Sequence, residues 1–157
     1  MTNVVVHVGH AVIRMSPFGF WRYGSQYAEA RKVVRCDHKK FSPVPYYLSC
    51  RALELLLKAY LLAQGWEVRD VKRDLHHNLE RALKQAEEAG LGQVLRITAA
   101  RREHVRLANG YYNSKSFEYI DIVKMVHAYR DLPNIRVLDR FNAALVKKLK
   151  PICLAAA

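Results

Sequence analysis

SPVPYYLSCRALELLLKAYLLAQG, residues 42–65, is the stretch that decides the fold. Nearly every position between its ends is apolar, yet Arg51, Glu54 and Lys58 lie at its centre. Three central charges argue against a bilayer span, because each costs about 2.5 kcal/mol or more there. The stretch reads instead as a helix with other helices on most of its sides. Its ends are marked: Ser42 can cap, Pro43 suits the first helical position, Pro45 is tolerable so near the start, and Gly65 followed by apolar Trp66 is a glycine stop. The three charges are spaced by three and four, so they share one side, with Glu54 preceding Lys58 in the favourable order for an ion pair. Two readings of this stripe are open. It is a solvated seam that pairs with itself, or a polar site between helices, since a mostly buried helix has little other surface for charge.

Working outward, Val4, Val5, Val6 and Val8 allow a short strand or an extended tail, and helical character runs from about Pro17 to about Arg35. A third helix is expected through Leu75, Leu79, Leu83 and Ala86, capped by Asp74 and stopped at Gly90, with EVRDVKR before it as a turn or loop. LGQVLRITAARREHVRLANG predicts a fourth helix that carries a dense run of arginines on one side and breaks near Asn109 and Gly110. YYNSKSFEYIDIVKMVHAY is ambiguous between a packed connection, a strand and a helical turn, whereas DLPN around Pro133 reads as a turn. In the last helix Ile135, Leu138, Phe141, Leu145 and Leu149 step by three and four, and Lys147, Lys148 and Lys150 complement its carboxyl end. About five helices with short connections favour an all-α antiparallel bundle over any α/β arrangement.

A chain of 157 residues is long enough for one domain with a real core, since a domain near this size buries about 70% of its unfolded surface. Residues 1–154 read as that single domain, and the closing Ala155, Ala156 and Ala157 look like cloning-vector residue. Twenty-six Lys and Arg against fourteen Asp and Glu give a net charge of +12, which favours polyanion partners such as RNA, DNA or nucleotides or serves solubility alone. The excess is spread along the chain, so a binding face requires the fold to gather it. Cys36, Cys50 and Cys153 are odd in number and lack metal-ligand spacing, so free thiols in a reducing cytosol are expected. The opening MTNVVVHVGHAVIRM lacks a basic first segment and a small-residue cleavage site, so no signal peptide is expected.

Few features carry chemistry. His76 and His77 adjoin Arg73 and Asp74, where an imidazole beside a carboxylate suits acid or base work, or simply caps a helix. No ligand spacing such as His-Glu-x-x-His, glycine-rich phosphate loop, nucleophile elbow, dinucleotide fingerprint or zinc finger occurs, so no metal and no cofactor is expected. The aromatics of GYYNSKSFEY either stack on bases or belong to the core or a dimer contact.

The order of PVPYYLSCRALELLLKAYLL, RDLHHNLERALKQAEEAGL and RLANGYYNSKSFEY resembles the HEPN superfamily, helical domains named for higher eukaryotes and prokaryotes nucleotide binding, over roughly residues 20–150. Glu54 and Lys58 match its Glu-x-x-x-Lys helix. Asp74, Leu75 and Asn78 to Leu79 form a segment like its His-Asp-Leu-x-x-Leu, and Leu107, Asn109 and Tyr112 an element like its Leu-Asn-x-x-Tyr. The resemblance implies four helices plus an accessory one, a two-fold homodimer and a polar cleft. It implies either a metal-independent ribonuclease or a module that has lost catalysis and binds nucleotides or RNA. The ribonucleases carry Arg and His with four to six residues between them near the start of the last core helix. Here Arg106 is followed by Tyr111, Tyr112 and Asn113 where that histidine belongs. The Arg31 to His38 and Arg69 to His76 matches lie in other segments.

The leading expectation is therefore a non-catalytic, homodimeric, cytoplasmic module that binds RNA or a nucleotide, with no catalytic residue assigned. Arg51, Glu54 and Lys58 line its cleft, joined by His76, His77, Arg102, Arg106 and Tyr112. One alternative is a metal-independent ribonuclease of a toxin or defence system that uses His76, His77 or His104 with Arg106 or Arg69. The other is an interaction protein with no nucleic-acid role.

Overall fold

The computed structural model describes residues 5–8, 11–35, 41–119 and 131–157, with backbone alone for residues 5–14. The body is an all-α helical bundle, and a short antiparallel hairpin precedes it: β1 (Val5–Val8) against β2 (Ala11–Arg14), with Val5 opposite Arg14. The extended reading of the first valines holds to this extent. The helices are α1 (Pro17–Val33), α2 (Pro43–Ala63), the short α3 (Val68–Asp70), α4 (Leu79–Glu88), the short α5 (Leu91–Val94), α6 (Ala99–Tyr112) and α7 (Ile135–Ala155).

The 42–65 stretch forms the centre. Helix α2 packs against α1, α4, α6 and α7, and from Ser49 to Leu62 all its residues are buried except Arg51. Gly65 takes φ +96°, and Gly65 N–H and Trp66 N–H close back onto the Leu62 and Leu61 carbonyls at 3.1 Å each, the glycine stop read from sequence. Ser42 stands at the N-cap, but its side chain caps nothing. The reason is local: a capping hydroxyl seeks the N–H of the second or third helical residue, and the third is Pro45, which has none.

Helix α1 lies close on α2 because of Gly24. A Cβ there would meet Leu56 Cγ at 2.9 Å and the Ala52 carbonyl oxygen at 3.2 Å. Trp21 ties α1 to α7, its Nε1–H donating to the Val146 carbonyl at 3.0 Å, and stacks on Phe18. A second polar tie joins α2 to α7, where buried Asn142 donates through Nδ2 to the Ser49 carbonyl and hydroxyl.

Three boundaries differ from the sequence reading. EVRDVKR is not a loop: α3 runs into a π-helical turn, Val71–Leu75. Asp74 does not start the third helix but pairs with Arg73 at 2.7 Å. The chain then turns through His76, at φ 44° and ψ −117°, and Asn78 N–H closes on the Leu75 carbonyl at 2.8 Å. Asn78 is the true cap, its Oδ1 accepting from Arg81 N–H, so α4 begins at Leu79. The expected fourth helix divides at Leu95, and Thr98 caps α6 by accepting from Arg101 N–H. Helix α6 then passes Asn109 and Gly110 without breaking, because one internal glycine costs only about 1 kcal/mol and the packing of buried Tyr112 lies beyond it.

Helix α7 continues through Pro151 to Ala155, so Lys147, Lys148 and Lys150 are not at its carboxyl end. They are exposed along its middle, with Lys150 Nζ 5.6 Å from the Trp21 ring centre. Of YYNSKSFEYIDIVKMVHAY, residues 113–118 form turns and 120–129 lie outside the described residues, as does Cys36. Cys50 and Cys153 are free buried thiols, and burial holds both above the usual thiol range.

Candidate functional site

The charged stripe of α2 points inward, not into solvent. Glu54 is 1% exposed and accepts from three sides. Lys58 Nζ donates to its Oε1 at 2.5 Å, Arg51 donates to its Oε2 at 2.9 Å, and the Tyr112 hydroxyl donates to the same Oε2. His77 Nδ1 stands 3.3 Å from Oε2, and its ring meets the Tyr112 ring edge-on at 6.0 Å. Three elements thus converge on one carboxylate: α2, the end of α6, and the turn before α4.

Each is held from behind. Lys58, 8% exposed, also donates to the His76 carbonyl at 2.5 Å, so the strained turn at His76 serves to aim a backbone acceptor at a buried ammonium. A non-glycine residue in that conformation costs about 1–3 kcal/mol. Asn109 Oδ1 accepts from Leu79 N–H at 2.8 Å, which fixes α6, and with it Tyr112, against the first turn of α4. Arg51 lies with its guanidinium carbon 6.0 Å from the Tyr27 ring centre.

The electrostatics follow from the geometry. Burial alone pushes the Glu54 carboxyl up, but the charges of Lys58 and Arg51, with hydrogen bonds from Lys58 and Tyr112, reverse that and hold it below the usual carboxylate range. Burial pushes the Tyr112 phenol up, and the Glu54 charge adds to it. Arg51 loses something to burial and gains more from Glu54, so its guanidinium is held more firmly protonated. Lys58 and Arg51 both face one carboxylate, leaving an excess of basic groups over acidic ones. The solvent edge of the hub is formed by the Arg51 side chain, 29% exposed, and the His77 side chain, 42% exposed. The Nε–H of Arg51 is buried with no acceptor among the described residues.

Of the residues named from sequence, Arg51, Glu54, Lys58, His77 and Tyr112 are brought together. His76 contributes its carbonyl while its side chain is exposed. Arg102 and Arg106 do not join them. They lie on the exposed side of α6, paired with Glu87 at 2.6 Å and Glu103 at 2.7 Å. They border a shallow cleft of about 870 Å³ between α4 and α6, where Arg81, Lys84, Arg102 and Arg106 are nearly balanced by Glu80, Glu87 and Glu103. The spread-out basic segments are therefore not gathered into one face there. His104 is occupied, its Nδ1 accepting from Asn134 N–H at 3.2 Å.

Tyr47 is a neighbour the sequence reading missed. Its ring lies 6.2 Å from that of Tyr112, and residues 47, 51, 54 and 58 form one helical stripe, a spacing that could have revealed it. The aromatic cluster is partly core: Phe117, 5% exposed, stacks on both Tyr46 and Tyr111. Among the described residues no group of three or more His, Cys, Asp and Glu side chains is placed to hold a metal ion, and no helix is long and apolar enough to cross a membrane.

Compared with known proteins, the chain matches no family model, no curated protein and no solved structure.

Proposed function

We propose that this protein is a non-catalytic, HEPN-like helical module that binds RNA or a nucleotide, as a homodimer, through the Glu54 hub. The observation that carries the reading is the charge count at that hub. Arg51 and Lys58 face the single carboxylate of Glu54, and Arg51 and His77 form its solvent edge. A structural ion pair needs only one cation, so the second, Arg51, whose side chain is 29% exposed, suits a phosphate oxygen. The sequence order that resembles HEPN domains, and the all-α bundle with its motif residues Glu54, Lys58 and Tyr112 meeting at one point while Asn109 braces α6 against α4, support the same reading. Fluorescence anisotropy with a labelled single-stranded RNA across a salt series tests it. Binding should weaken linearly in log salt, and no binding at low ionic strength would sink it.

One observation favours a second reading, the metal-independent ribonuclease. Glu54 lies at the Nδ1 of His77, which leaves Nε2 of a half-exposed imidazole to accept a proton from a ribose hydroxyl. Its test is RNA cleavage in chelator by the protein and by His77→Ala. Equal background cleavage in both removes this reading.

A further inference from the structure

We infer that the aromatic cleft beside the hub is a nucleobase subsite with a preference for guanine. This rests on the proposed binding of RNA or a nucleotide, and it adds which base and which residues. The cleft, about 370 Å³, is lined by Val44, Tyr47, Phe117, Glu118 and Tyr119. It is shallow and open, a surface on which a flat base can stack rather than a pocket that encloses a ligand. Two of its walls are tyrosine rings. Tyr119 is 67% exposed, an arrangement that leaves an aromatic face in water unless something stacks on it.

The cleft adjoins the hub through Tyr47. One ring contact away is Tyr112, which donates to Glu54. The Tyr47 phenol is pushed up by burial and then by Glu118, while Arg51 pulls it down, so this side chain feels both the cleft and the hub. Arg51 lies one helical turn beyond Tyr47 on α2, so a base stacked at this cleft has a guanidinium within reach of its phosphate.

Glu118 sets the preference. It is exposed, and among the described residues no cation pairs with it. An ionised carboxylate only accepts hydrogen bonds, through two adjacent oxygens. Guanine presents two adjacent donors, N1–H and the N2 amino group. Adenine and cytosine present one amino donor beside a ring acceptor, and the single N–H of uracil is flanked by two carbonyls. A lone acidic side chain in a basic protein would repel a phosphate, but it suits this base edge.

The experiment is a titration of the whole protein with the four ribonucleoside 5′-monophosphates and with inorganic phosphate, followed by NMR chemical shifts, on the parent, Glu118→Gln and Tyr119→Ala. Both side chains are exposed, so the variants should fold, which circular dichroism checks. The guanine nucleotide should bind tightest. Glu118→Gln should erase its advantage, about tenfold, and Tyr119→Ala should weaken every nucleotide by about tenfold while leaving phosphate unchanged. Equal binding of all four, untouched by either substitution, overturns the subsite and leaves phosphate binding at the hub intact. Failure of every nucleotide and of RNA to bind at low salt overturns both.

Discussion

Tyr112 and Glu54, 58 residues apart in sequence, meet at the centre of the bundle, where the phenol donates to a carboxylate oxygen that Arg51 also holds. This contact joins α6 to α2 by polar chemistry inside the core. Tyr112→Phe removes the donor and keeps the ring. It should cost about 1.5–3 kcal/mol, the usual worth of a hydrogen bond to a charged group, measured as the shift in urea unfolding midpoint at unchanged slope.

Removing the carboxylate should cost more. Glu54→Leu leaves Lys58, 8% exposed, with only the His76 carbonyl among the partners described for it, and should destabilise by about 3–5 kcal/mol. The double substitution Glu54→Leu with Lys58→Met should regain most of that, because a hydrophobic replacement has no buried charge to leave uncompensated. If the double variant is no more stable than the single one, Lys58 is not the group that suffers.

Both partners make stability depend on pH, in opposite directions. The folded Glu54 carboxyl lies below its ordinary value, so the unfolded chain binds its proton first as pH falls. Its contribution is present above the ordinary carboxylate pKa of 4.5 and is lost on acidification below it. The folded Tyr112 phenol lies above its ordinary value of 10.0, so its contribution is present below pH 10 and is lost as pH rises past it. Thermal unfolding of Tyr112→Phe between pH 9 and 11 should therefore decline less steeply than that of the parent.

The turn at His76 yields a prediction of the other sign. Its φ of 44° suits glycine, its side chain is exposed, and its only described role in the hub is its carbonyl. His76→Gly should stabilise the protein by about 1 kcal/mol, the relieved strain less the added freedom of the unfolded chain. A loss of stability would mean that the imidazole itself matters.

Gly24 has the opposite sensitivity. With a new Cβ 2.9 Å from Leu56 Cγ, Gly24→Ala must push α1 from α2 and should cost about 1–3 kcal/mol, although alanine is the better helix former.

Much of this fold was legible because its signals are local. Gly65 with Trp66 ends α2 as read, and the dense apolar run of α2 gives its central place. The start of α4 was not legible, since Asp74 and Asn78 are both good caps and Leu75 and Leu79 fit one periodicity; only the turn through His76 separates them. Nothing in the neighbouring sequence marks His76 for a positive φ. The break between α5 and α6 was hidden because Ile97 keeps the apolar pattern going across extended backbone. In the site, the spacing of Arg51, Glu54 and Lys58 placed them together. That Tyr112 and His77 reach them, and that Arg102 and Arg106 turn instead to Glu87 and Glu103, depends on how helices pack, which periodicity does not encode.

The most direct test of the central claim is the salt dependence of RNA binding by the parent and by Arg51→Gln, in which Lys58 still neutralises Glu54. The account predicts weaker binding by the variant and a log–log salt slope shallower by about one phosphate contact. Identical affinity and slope in the two proteins, or no binding by either at low salt, would contradict it.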